Sequence, residues 1–92
     1  MSIQIKFMSL ISAMAGVGQV QLDPVYRTVG EVLDELTRLY PTLKAELFDE
    51  EGKLDYLYQI FLNGEKLEWS LTRDEPVKDG DQLAIFAVLG GG

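Results

Sequence analysis

Three consecutive glycines, Gly90, Gly91 and Gly92, follow an apolar run from Leu83 to Leu89. Glycine lacks a Cβ, so an arm of glycines adopts almost any backbone geometry and enters slots that side chains would block. Fully extended, three or four residues reach about 10–14 Å. The one reactive group such an arm presents is the carboxylate of Gly92. A carboxylate is a poor electrophile, because its negative charge repels nucleophiles, so chemistry at this position requires activation. The chain has no Cys and no His. That absence removes disulfides, thiolate chemistry, most transition-metal sites and the common nucleophile–base pairs.

The remaining candidate for chemistry is the acidic run Asp49-Glu50-Glu51. It lacks the alternating ligand spacing and closing Glu of a calcium loop, and reads as a solvated loop rather than a metal site. The net charge of −7 argues against nucleic acid and against an anionic membrane surface, since nucleic-acid binders concentrate Lys and Arg. An acidic surface keeps a small protein soluble, or steers it toward a basic partner.

The elements that would position the arm can be read in order. Ninety-two residues, 47% of them hydrophobic and only three of them proline, make one small globular domain. Such a domain buries about 60–65% of its unfolded surface. No apolar run approaches the ~18–20 residues that cross a membrane, and Met1 to Lys6 does not read as a signal peptide. The expected location is the cytoplasm. Ile3, Ile5 and Phe7 alternate with Gln4, Lys6 and Met8, the period of a half-buried strand. Gly16 and Gly18 mark a turn. Val20 and Leu22 alternate with Gln19, Gln21 and Asp23 in a second strand that Pro24 ends. Together they form a hairpin.

Thr28 and Glu31 have the spacing of a capping box. Behind them Val29, Val32, Leu33, Leu36 and Leu39/Tyr40 fall at helical spacing, and Pro41 stops the helix. Leu43 and Leu47 suggest a short second helix over residues 42–48. Leu57 to Leu62 is a strand closed by Asn63-Gly64, a strong two-residue hairpin signal. Lys66 to Trp69 returns as a short strand. Lys78-Asp79-Gly80-Asp81 is a turn, and Gln82 to Val88 is apolar on both faces, as a central strand should be. One apolar helix stripe needs one sheet face to cover. The fold class is therefore α+β, a β-grasp: a mixed sheet of four or five strands curled around one main helix, with first and last strands as central neighbours. The domain spans residues 1–89, and 90–92 form a flexible glycine tail.

Several features in sequence resemble the ubiquitin-like sulfur-carrier family: Thr28-Val29-Gly30-Glu31-Val32-Leu33, an Asn ending the third strand, Asp79-Gly80-Asp81, and the strand Leu83 to Leu89 running into Gly91-Gly92. That family includes the small subunit of molybdopterin synthase (MoaD) and the thiamine sulfur carrier (ThiS), and the resemblance covers essentially the whole chain. Gly90 fills the small-residue position before the terminal pair, which makes Gly92 the equivalent of the reactive terminus. Ala87-Val88 stands where molybdopterin members usually carry Pro-Pro.

The resemblance implies that a ubiquitin-activating-type enzyme uses ATP to adenylate Gly92. A sulfur nucleophile then displaces AMP and leaves a C-terminal thiocarboxylate. The chain binds no cofactor itself and supplies no catalytic acid or base. The implied role is the sulfur-donating small subunit of molybdopterin synthase in molybdenum or tungsten cofactor biosynthesis, docked on the synthase large subunit or an equivalent acceptor. The alternatives are a carrier for thiamine, cysteine or tRNA thiolation, a ubiquitin-like modifier conjugated through Gly92, and a binding module with an inert tail. Docking needs an exposed apolar patch near the tail. By alternation Met8, Phe86 and Val88 face away from the helix; the resemblance implies that Phe86 and Met8 match apolar interface positions of the family, and with Phe61, Val88 and Leu89 they are the candidate partner interface. Acidic residues around that patch are expected to steer it to a basic partner.

Overall fold

The computed structural model describes residues 2–8, 16–48, 50–51 and 58–87. Along the chain these form β1 (Ile3–Phe7), β2 (Gln19–Leu22), α1 (Val29–Leu39), α2 (Thr42–Leu47), β3 (Tyr58–Leu62), β4 (Glu65–Lys66), a 3-10 segment (Trp69–Asp74) and β5 (Gln82–Ala87). The strands join one five-stranded sheet in the order β2-β1-β5-β3-β4. β1 and β5 run parallel, with Ile5 beside Leu83 and Phe7 beside Ile85. The other pairings are antiparallel. This is the expected β-grasp, with β5 in the centre.

Alternation sorts the strands onto two faces. Ile3, Ile5, Leu83, Ile85 and Ile60 are buried on one of them, against Val29, Val32, Leu33 and Leu36 of α1 and Leu43 and Leu47 of α2. Each such side chain contributes about 1.5–3 kcal/mol by leaving water. Tyr40 at the end of α1 meets Phe7 edge-on, with ring centroids 6.2 Å apart. The Tyr58 hydroxyl donates to Glu46 Oε2 at 3.0 Å and ties α2 to β3.

The ends of α1 follow from local chemistry. Thr28 is extended, at φ −134° and ψ 160°, and its Oγ1 accepts from the Glu31 amide at 3.2 Å. The Glu31 carboxylate accepts from the Arg27 amide at 2.8 Å, one residue further back than in a standard capping box. At the other end the Tyr40 amide donates to Leu36 O, and Pro41 opens α2 with almost no intervening loop. The second helix therefore ends at Leu47, close to the expected range.

The return after Asn63-Gly64 differs from expectation. Asn63 (φ 51°) and Gly64 (φ 87°) are both left-handed, as a type I′ hairpin requires. The strand then lasts only for Glu65–Lys66, and the chain winds into the 3-10 segment instead of continuing to Trp69. That segment packs on α1 at Gly30. A Cβ there would lie 2.9 Å from the Arg73 carbonyl oxygen and 3.2 Å from Arg73 Cβ. Arg73 is also held from the side, by Asp34 Oδ2 at 2.9 Å and by the Phe48 ring at 5.3 Å.

Gly30→Ala tests this close approach. Alanine is the better helix former by about 1 kcal/mol, yet overpacking against a backbone atom costs about 1–3 kcal/mol. A net loss of about 1 kcal/mol is expected, a fall of several degrees in the melting temperature. A rise in melting temperature would show that the segment yields freely.

Candidate functional site

The tail follows β5, so what holds β5 decides where the tail begins. Gln4 pairs with Gln82 on one side of it, and Leu62 pairs with Leu83 on the other. Its entry is clamped as well. The Asp81 carboxylate is buried and accepts from Asn63 Nδ2 at 2.9 Å and from the Lys78 amide at 2.8 Å. Asn63 Oδ1 in turn accepts from the Gln82 amide at 2.9 Å, and the Asn63 amide donates to Gln82 O at 2.8 Å. Gly80 sits at φ 90° and donates to Ser2 O at 3.0 Å. One Asn and one Asp thus lock the β3–β4 turn to the turn before β5. Sequence reasoning saw both residues, as turn signals and as marks of resemblance, but not the bonds between them.

The face of the sheet away from the helices carries the expected apolar corner. Phe61 and Phe86 are half-buried and meet edge-to-face, with ring centroids 5.1 Å apart. Met8 is 37% exposed, and its amide donates to Ile85 O at 2.9 Å, which sets it beside the end of β5. The structure therefore brings Met8, Phe61 and Phe86 to one corner. Val88, Leu89, Gly90, Gly91 and Gly92 lie outside the described residues.

Among the described residues the surroundings of this corner are not acidic, contrary to expectation. Lys6 pairs with Ala84, Lys66 with Phe61, and Gln59 with Phe86. Carboxylates gather on the helical side instead, where Glu31 and Asp34 are exposed on the polar stripe of α1 and Glu35 is half-buried beside them. Arg38 donates to both oxygens of Glu35, at 2.6 and 2.7 Å, and holds that carboxyl below its ordinary range. Burial, then a hydrogen bond to Glu35, pushes the Tyr26 hydroxyl up. A concavity between α1 and α2, lined by Arg38, Lys44, Phe48 and Arg73, is on this side too. Two of its cations are already paired within the chain, and it lies away from β5. Among the described residues no cluster of acidic groups could hold a metal ion, and no helix is long and apolar enough to cross a membrane. Asp49 of the acidic run lies outside the described residues.

Comparison with known proteins agrees with this architecture. The ThiS family model matches residues 5–92. SAMP1 from Haloferax volcanii is 30% identical, with all of both chains covered and a TM-score of 0.85. The BexX/CysO complex of Amycolatopsis orientalis contains a chain 27% identical, covering 98% of this chain and 99% of that one, with a TM-score of 0.80. A relative from Archaeoglobus fulgidus, provisionally named a sulfur carrier protein, is 23% identical over 75 residues, 82% of this chain and 85% of its own.

Proposed function

This chain belongs to the ThiS family, whose match runs to residue 92, and we propose that Gly92 is the working terminus of a sulfur carrier. The observation that carries the reading is that the family match includes the glycines that follow β5. An ATP-dependent activating enzyme attaches AMP to the Gly92 carboxylate and releases pyrophosphate. The carboxylate thereby gains a good leaving group. Sulfide attacks the carbonyl carbon, the C–O bond to AMP breaks, and a thiocarboxylate remains; a persulfide attacking the same carbon leaves an acyl disulfide, whose S–S bond a thiol then cleaves by exchange, forming a disulfide with the donor sulfur and releasing the thiocarboxylate. The Met8–Phe61–Phe86 corner docks first the activating enzyme and then the sulfur acceptor. The acceptor we favour is a molybdopterin synthase large subunit, as the sequence resemblance implies; thiamine, cysteine or tRNA thiolation would use the same tail chemistry. The domain is a handle and supplies no acid or base, in keeping with a sequence without Cys or His.

A second reading is favoured by the full-length match to SAMP1 from Haloferax volcanii. The SAMP1 of Methanosarcina acetivorans, 27% identical with a TM-score of 0.83, is a small archaeal modifier protein. In this reading a lysine amine of a target protein attacks the same adenylate, and an isopeptide bond replaces the C–O bond to AMP. The two readings part only at the nucleophile. With the activating enzyme, ATP and a sulfur donor, the intact mass should rise by about 16 Da as sulfur replaces oxygen. Absence of that shift, with lysine-linked adducts present, would reject the carrier reading and leave the modifier.

A further inference from the structure

All the glutamines of the chain, Gln4, Gln19, Gln21, Gln59 and Gln82, fall on the sheet face away from the helices. The pairing registers arrange this face in rows. One row runs Gln21–Gln4–Gln82. The next crosses all five strands as Gln19–Lys6–Ala84–Phe61–Lys66. The last holds Gln59 beside Phe86, with Met8 at its end. None of these strand residues is acidic, in a chain of net charge −7. Asp23 lies one residue past β2, and Glu65 pairs with Leu62 on the opposite face.

This composition is not what solubility requires. A face meant only for water gains most from charge. A face meant to be covered gains from neutral amides, which lose less on leaving water than charges do and still offer donors and acceptors. The two charges kept, Lys6 and Lys66, have the same sign and are both exposed. They stand three strand spacings apart, about 14 Å, on either side of the narrow Ala84 and the Phe61 ring. A second copy stacked face to face would set lysine against lysine, so this surface does not suit itself. The acidic helical side does not mask these lysines. The domain's smallest extent is 25 Å, whereas charges are screened over about 8–10 Å at physiological salt.

We infer that this glutamine and lysine face, continuous with the Met8–Phe61–Phe86 corner, docks a folded protein partner that sets carboxylates against Lys6 and Lys66. The partner is thus acidic at the contact, although the carrier is itself strongly acidic. The inference rests on the sulfur-carrier reading for the identity of one such partner, the activating enzyme. It goes beyond that reading in assigning the partner's charge and the extent of the footprint.

The test titrates the full-length chain with its activating enzyme, without ATP, over a range of salt concentrations. Wild-type affinity should weaken as salt rises. Lys6→Glu with Lys66→Glu should weaken binding about thirtyfold or more at low salt, mainly through slower association. Lys6→Arg with Lys66→Arg should stay within about threefold of wild type. Lys44→Glu, on the helical side, makes a charge change of the same kind per residue and should have little effect. Unchanged affinity of the double Glu variant, affinity that rises with salt, or no wild-type binding at all would each overturn the inference. The mass measurement judges the sulfur reading separately: a 16 Da shift, about one oxygen-for-sulfur exchange, can occur whichever way the titration falls.

Discussion

A chain lacking Gly92, or carrying one extra residue after it, is expected to lose sulfur loading by about a thousandfold or more while folding normally. One residue of extended chain spans about 3.3–3.6 Å. Misplacing a reacting atom by about 1 Å can already cost a hundredfold, because the reacting groups no longer meet in line. The lengthened tail also puts the new carboxylate beyond the point where the partner's ATP phosphate would meet it. The fold should not notice. The buried cluster of described residues has Ile85 as its last member, so tail variants remove none of it. Intact mass after incubation with activating enzyme, ATP and sulfur donor measures loading, and thermal unfolding measures the fold. Loading that persists in either variant would mean that Gly92 is not the group that is activated.

Phe86→Asp is expected to weaken partner binding by about thirtyfold to a thousandfold, the range for a central aromatic anchor. Stability should fall far less. Phe86 lies on the sheet face opposite the core, half-buried against Phe61 at 5.1 Å. The edge-to-face contact contributes about 0.5–1.5 kcal/mol. Its neighbour Ile85 is fully buried on the other face, and Ile85→Asp should unfold the domain by stranding a charge in the core. The pair of variants therefore separates interface from core. Binding is read by titration with the activating enzyme, and folding by circular dichroism. If Phe86→Asp also unfolds the chain, or binds as wild type does, the apolar corner is not the docking point.

Much of the framework was legible in the residues because it is set over short distances. Thr28 and Glu31 lie three apart and cap a helix that Pro41 must end. Asn63-Gly64 adopts the left-handed pair that its residue types favour. Ile3, Ile5 and Phe7 alternate, and alternation alone puts Met8 on the outer face. Gln82 to Val88 reads as central because it is apolar on both faces, and the sheet places β5 between β1 and β3.

The return strand is shorter than its local pattern implies, for a reason of the opposite kind. Lys66-Leu67-Glu68-Trp69 has enough alternation to pair further. Yet the chain leaves the sheet after Lys66, because the segment that follows packs on α1 through contacts 39 residues apart, between Asp34 and Arg73. Gly30 reads locally as a weak point in a helix; only the approach of Arg73 explains it.

By itself, then, the sequence determined the helix and its ends, the turns, the strand faces, the glycine arm and the family to which the chain belongs. Each depends on residues within a few positions of one another or on their order along the chain. Tertiary structure decided what those residues do together. It joined Asn63 to Asp81 across 18 positions, set Phe61 against Phe86, and gathered glutamines from four strands onto one face whose described strand residues carry no carboxylate. Strand order and register govern such encounters, and both are settled by how the whole core closes around α1 rather than by any local propensity.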